Sequence, residues 1–438
     1  MWYNGGKSNG RIILKKSTVL FIVLAAAVAG AAERKLYVAD FRDKMEGAWI
    51  GQCVGVQYGA PTEFRKVEEL WSFDELPVWN PLRFNGALNN DDLYVELTFV
   101  RSLEQHGLDV SIRQAGIDFA NSTYPLWCAN FNGRNCLRNG IAPPASSHPK
   151  YHVSPDDIDY QIESDFSGII SPGLPNRAVR LGEQFGRIMN YGDGLYAGQF
   201  IGALYAEAFF QPSCFWWTDR VALVEKALKS IPAESKYAKM VRDVLEWRRE
   251  TYTGASWHKA WKKAIEKYGS RSSMVGKVTR PNIDVKINGA FILIGYLWGD
   301  GDIEQTMKIA TACGNDSDCN PANALGVLGC QLGAKAFGPK YVGELDRGKL
   351  FSSSPYKWDD LMAVSEKLAR EIVVAEGGSI DKDEKGEYFL IPVQEPKTSE
   401  FFDSLKPGPC GDERYTEEEM QKILYKPQEK SGTASEKK

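Results

Sequence analysis

Residues 47–64 read GAWIGQCVGVQYGAPTEF, with glycine at 47, 51, 55 and 59. A glycine at every fourth residue puts all four on one face of a helix. With no side chains on that face, another backbone or a ligand can approach unusually closely. Upstream, Phe41, Met45, Ala48 and Trp49 keep helical spacing. Pro61 ends the helix and leaves Glu63 on the turn beyond it.

The same periodicity recurs along most of the chain. In NNDDLYVELTFVRSLEQHG (89–107), Leu93, Leu97, Val100 and Leu103 mark a second helix, with Asn89, Asn90, Asp91 and Asp92 at its start. Further helices are expected at 177–189, 194–210, 219–229, 235–250, 256–267, 303–313 and 321–336, the last with Asn320 as N-cap and Pro321 at its first position. NGAFILIGYLWG (288–299) is apolar on all sides and reads as a buried helix. Residues 121–180 carry seven prolines and look irregular, which suggests a functional loop or lid. A helix near 357–371 leads into REIVVAEGGSI and EYFLIPV, a plausible β-hairpin within Glu371–Val393. The expected fold is all-α with a small C-terminal hairpin. Its parts are a main helical domain at 33–345, an extension at 346–410 and a charged, solvated tail at 411–438 with a short helix from Thr416.

The 438 residues are 43% hydrophobic and 25% charged, the composition of a globular chain. A net charge of −4 leaves no basic surplus for a phosphate backbone, so a nucleic-acid partner is not expected. Lys7, Arg11, Lys15 and Lys16 precede an uncharged run from Ser17 to Ala32 that ends in small residues. That pattern reads as a cleaved signal peptide over 1–32, hence export to a periplasmic or extracellular space. A membrane partner is expected only if the segment stays attached. Of the eight cysteines, Cys128 and Cys136 could close one short loop, and no spacing matches a zinc site.

The chemistry is concentrated in two acidic loops, Asn90-Asp91-Asp92 and Asp316-Ser317-Asp318, each at a helix start. Capping accounts for one carboxylate per helix, since the helix dipole favours negative charge there. Adjacent aspartates exceed that need and repel each other. A hard divalent cation resolves the repulsion with oxygen ligands of this kind.

The segments GAWIGQCVGVQYGAPTEF, NNDDLYVELTFVRSL and ACGNDSDCNPANALGVLGCQLGA resemble, in order, the three signature blocks of the ADP-ribosylglycohydrolase superfamily. Those blocks read roughly G-x-x-x-G-D-A-x-G-A-P-x-E, T-D-D-T and G-G-D-T-D-T. The resemblance spans about residues 40–340. It implies a compact orthogonal helical bundle, two Mg²⁺ or Mn²⁺ ions, and hydrolysis of a glycosidic bond at ribose C1 of an ADP-ribosyl conjugate, free or protein-linked. It further implies Asp91, Asp92, Asp316 and Asp318 as metal ligands, and Glu63 beside the ions and the attacking water.

The chain departs from the pattern at Val56, in place of the first block's aspartate, and at Asn90 and Leu93, in place of two threonines. Asn90 keeps a carbonyl oxygen and remains a candidate ligand. Cys319 replaces the last threonine and, as a soft donor beside hard ions, is expected to contribute little. Asn190 stands where the family often has a histidine. These changes widen the expected substrate to related N- or O-glycosyl conjugates. Asp165, Asn190 and Asp193 are candidate substrate-binding groups, with turn or cap roles as the competing explanation. Trp127, Trp216 and Trp217 are candidate stacking surfaces, with burial in the core competing. The alternative function is a catalytically silent relative that binds a ligand or serves a structural role. Retention of Glu63 and all four aspartates argues for the enzyme.

Overall fold

The computed structural model describes residues 32–211, 217–250, 257–272, 281–343, 345–411 and 413–425. The expected signal peptide therefore lies outside the described residues, apart from Ala32. Strand β1 (Glu33–Tyr37) runs directly into α1 (Val38–Gly59), and a 3-10 turn at Pro81–Asn89 leads to α2 (Asp91–His106). Next come α3 (Ile112–Ala120), α4 (Cys128–Arg138), the short α5 (Asp159–Ile162) and α6 (Asp165–Ile169), then α7 (Pro175–Phe185) and α8 (Asp193–Ala208). The second half holds α9 (Trp217–Leu228), α10 (Lys236–Glu250), α11 (Trp257–Tyr268), α12 (Val285–Trp298), α13 (Ile303–Ala312) and α14 (Cys319–Leu332). The chain closes with α15 (Gly338–Val342), α16 (Trp358–Ala375), strands β2 (Ser379–Asp383) and β3 (Gly386–Pro392), and α17 (Glu417–Gln421). The fold is all-α with one small sheet, as the periodicities predict.

The bare face of α1 meets α14 backbone to backbone. A Cβ on Gly47 would lie 2.5 Å from Gly329 O, and one on Gly55 would lie 2.4 Å from Pro321 O. At Gly59 it would fall 1.9 Å from Ser317 O, so the end of α1 lies against the loop that opens α14. Every residue of α8 and of α12 is buried, and these two helices form the centre of the core.

Three features differ from the sequence reading. The hairpin gains a third strand: β1 pairs antiparallel with β3 in the order β1-β3-β2, with Glu33 opposite Pro392 and Tyr37 opposite Tyr388. Phe389 and Ile391 of β3 are fully buried, and the Phe389 ring lies 5.4 Å from that of Phe41 on α1. Within residues 121–180 the stretch 154–179 is no lid, since it is buried without a break. Its prolines separate short helices rather than mark a loop.

The third difference is at the C-terminal end. Tyr196 Oη donates to Glu400 O (2.7 Å), and Asn176 Nδ2 donates to Glu395 O (2.8 Å), so residues near 400 lie across α7 and α8. The described residues from Glu33 onward group as one unit, with no division near 345. The part of the expected tail that is described also packs. Tyr415 and Ile423 are buried, and Glu419 of α17 pairs with Arg113 at 2.5 Å. Residues 426–438 lie outside the described residues. Cys128 and Cys136, both on α4, form no disulfide.

Candidate metal centre and active site

Beyond α1 the chain is tied to the loop preceding α14. Thr62 Oγ1 shares a 2.7 Å hydrogen bond with Ser317 Oγ. Phe64 N donates to Asn315 O (3.0 Å), Asn315 N to Lys66 O (2.9 Å) and Glu68 N to Asn315 Oδ1 (2.7 Å). Gly314 and Asn315 take left-handed backbone at φ 81° and 57°, and a Cβ on Gly314 would collide with Glu69 O and Lys66 O. From the far side, Asn288 of α12 accepts from Asn320 Nδ2 (3.0 Å) and Asp316 N (3.4 Å). Glu63 is thereby fixed beside Asp316 and Asp318.

Capping does not explain the acidic loops. Asn90 caps α2, its Oδ1 accepting from Asp92 N at 2.9 Å, so both aspartates of the first turn are surplus to that task. The side-chain oxygen of Asn90, expected as a metal ligand, thus already accepts one hydrogen bond at the helix start and keeps a second lone pair. At α14 the helix begins at Cys319, and Asp318 stands at the N-cap position without a side-chain capping bond. Asp92, Asp316 and Asp318 are 0%, 1% and 3% exposed, Asp91 is half-buried, and Glu63 stands at the rim. Neither oxygen of Asp92, nor Oδ2 of Asp316, has a hydrogen-bond partner. Buried polar groups are normally paired, so such oxygens mark where a cation fits.

The five carboxyls share one field. Burial, then Asp91, then Asp318, drives Asp92 well above the usual carboxylate range. Burial, followed by Asp318, Glu63 and Asp92, does the same to Asp316. Asp318 rises to about 6, by burial and then by Asp91, while burial raises Asp91 itself. Glu63 rises to about 8, although it reaches solvent. Desolvation by the surrounding protein leads there, with Asp318 and Asp91 adding to it.

Cys319 lies closer to this cluster than its softness suggested. Its Sγ and one oxygen each of Asp316 and Asp318 lie within 4.8 Å of one another. Burial, with the charges of Asp316 and Asp318 next, pushes the thiol well up.

The three further candidates from the sequence are engaged elsewhere. Asp165 accepts from Tyr205 Oη and Asn323 Nδ2, both at 2.7 Å, which occupies both carboxylate oxygens. Asn190 donates to Pro155 O and Asp157 O and accepts from Tyr160 N, with no solvent exposure. Asp193 accepts from Tyr237 N (2.9 Å) and stands in the field of Lys286, which pairs with Asp156 and Asp284. Asn190 and Asp193 thus serve buried backbone groups, while Asp165 lies near enough to the cluster for its charge to help raise Asp92.

The sequence reading missed a second acidic layer beside Asp91. Asp157 and Asp159 accept from Ala129 N (2.7 Å) and Asn130 N (2.5 Å) at the first turn of α4. Glu163 bonds Asn130 Nδ2, and its other oxygen has no partner. Asp91 contributes to raising both Asp159 and Glu163. The one available signal was the acid-rich run PDDIDYQIESD at 155–165, which has no helical period. Trp127, just ahead of α4, is 54% exposed and so is not a core residue. Trp216 and the side chain of Trp217 lie outside the described residues.

A family model described as ADP-ribosylglycohydrolase matches residues 38–377. Among solved structures, one described as an "ADP-ribosylglycohydrolase-related protein complex" is similar at 16% identity and TM-score 0.42, covering 76% of this chain and 100% of that one. No curated protein matches. The family match runs from the first residue of α1 to just past α16 and contains every residue of the acidic cluster. The chain belongs to the ADP-ribosylglycohydrolase family.

Proposed function

We propose that the protein is a metal-dependent hydrolase that cleaves a glycosidic bond at ribose C1 of an ADP-ribosyl or related N- or O-glycosyl conjugate. The observation that carries this reading is the set of buried oxygens on Asp92 and Asp316 that no protein donor meets. A structural role gives no return for leaving them so, whereas a cation compensates them. Asp91, Asp92, Asp316 and Asp318 would hold two divalent cations. When bound, such ions supply positive charge that clamps vicinal sugar hydroxyls and acidifies water. Glu63, at the rim and within the field of Asp318 and Asp91, accepts the proton of the water that attacks the anomeric carbon. The remaining negative charge of the cluster favours an oxocarbenium-like transition state. The residue 1–32 pattern supports a site of action outside the cytoplasm.

The test is incubation with a panel of ADP-ribosyl, ribosyl and other glycosyl conjugates, with Mg²⁺, with Mn²⁺ and with chelator. The expected result is release of ADP-ribose or a free sugar that chelator abolishes. Turnover indifferent to chelator would remove the metal from the reaction. Tight metal binding with no release from any conjugate would favour the silent relative.

A further inference from the structure

The donor set at the start of α14 is mixed. Asp316 and Asp318 each offer an oxygen and Cys319 its sulfur, all three within 4.8 Å of one another. Neighbouring ligands of a tetrahedral ion at bonds of about 2.0–2.3 Å stand about 3.3–3.8 Å apart. One pair, Cys319 Sγ and Asp318 Oδ1, already stands at that spacing, and the others need to close by at most about 1.5 Å to share one ion. Cys319 is 5% exposed, and its Sγ lies 3.6 Å from Asp318 Oδ1. A thiol placed for packing alone would face apolar neighbours, but this one faces carboxylates. Within the same cluster, Asp92 lacks a partner for both oxygens and Asp316 for Oδ2.

We propose that Cys319 Sγ is a metal ligand, and that this position takes a borderline first-row ion of the Fe²⁺, Co²⁺ or Zn²⁺ class in preference to Mg²⁺. The reason is donor softness. Mg²⁺ holds to oxygen ligands in near-octahedral order, whereas thiolate selects the later first-row ions. As the sulfur–metal bond forms, the thiol proton passes to solvent, one per ion bound. The inference rests on the metal centre proposed above and names the ion it selects. The Mg²⁺ or Mn²⁺ of the sequence reading is then confined to a companion position at Asp91 and Asp92.

The test uses the full chain, stripped with chelator and titrated with Co²⁺. A near-ultraviolet thiolate-to-cobalt charge-transfer band should grow with binding. Cys319→Ser should lose the band and still bind Co²⁺ by calorimetry, about 10–100-fold more weakly. Its Mg²⁺ affinity should change by less than about threefold. Unfolding of this variant in chelator should match the parent, which excludes misfolding, and Cys319→Thr should repeat the spectral loss. Co²⁺ binding without the band, or a band that survives in Cys319→Ser, overturns thiolate ligation and leaves the metal centre standing. No binding of Co²⁺, Zn²⁺ or Mg²⁺ by the parent overturns both.

Discussion

A carboxylate with no donor on either oxygen and no solvent, as at Asp92, is stable only if neutral or if a cation faces it. The same applies to Oδ2 of Asp316, and the state of the site decides the sign of a substitution there. In chelator, Asp316→Asn removes a group that repels Asp318 and Glu63, so stability should hold or rise slightly. With metal present, the same variant should lose affinity at least about tenfold. Thermal unfolding in chelator and calorimetry with metal separate the two. A large loss of stability in chelator would make Asp316 a structural residue. Glu63→Gln should keep metal binding and lose turnover by about 10²–10⁴-fold, the range of a general base. Full activity would remove it from the mechanism. For Asp193 the expectation is the reverse. Its carboxylate serves Tyr237 N, so Asp193→Ala should cost about 1–3 kcal/mol of stability and leave KM unchanged. A raised KM with stability intact would return it to the substrate site.

At the scale of the element, the α1–α14 contact links the fold to the chemistry. Gly55→Ala puts a methyl 2.4 Å from Pro321 O and 2.5 Å from Ala322 N, both backbone atoms that cannot rotate away. The gain in helix propensity is about 1 kcal/mol. Overpacking costs about 1–3 kcal/mol or more and should win. Because α14 carries Cys319 and follows directly on Asp318, displacing it should also weaken metal binding. Denaturant unfolding and calorimetry on this variant should move together, and lost stability with intact affinity would show that the loop holds its geometry without α1. The glycine spacing at 47–59 thus made legible a helix face open to close approach, though not that α14 would fill it. The acidic loops were legible because adjacent carboxylates exceed what a cap requires. Local patterns could not show β1, whose pairing with β3 joins residues at opposite ends of the chain. Nor could they show Asp157, Asp159 and Glu163, which reach Asp91 only through the fold of an aperiodic segment. The roles of Asp165, Asn190 and Asp193 were not legible either, because a polar residue in a turn reads alike whether it faces a ligand or a buried backbone group.

For the molecule as a whole, so many buried carboxyls make the metal-free chain an unusual case of pH dependence. Glu63 and Asp165 are raised to about 8, Asp159 to about 7, and Asp318 and Asp193 to about 6, each chiefly by burial. In the unfolded chain they return to about 3.9 for aspartate and 4.3 for glutamate. Between pH about 4 and about 8 the folded chain therefore holds more protons than the unfolded one, and its stability falls as pH rises. The stability these groups contribute is complete below pH about 4 and lost progressively up to about 8. Ion pairs of the opposite kind, such as Glu304 with Lys308 and Lys340, hold their carboxylates near 2, but they lie at the surface, where solvent screens them. They change little above pH about 4, so the buried set governs the slope. A cation that binds the ionised cluster opposes this loss, and by mass action adds about 2.7 kcal/mol at a hundredfold excess over Kd. The unfolding temperature in chelator should thus fall from pH about 5 to about 8. The gain on adding saturating metal should grow over the same interval, because fewer protons then compete for the carboxylates. A chelated profile that is flat across that range, with a metal-induced gain independent of pH, would mean that the cluster neither buries charge nor exchanges protons for metal.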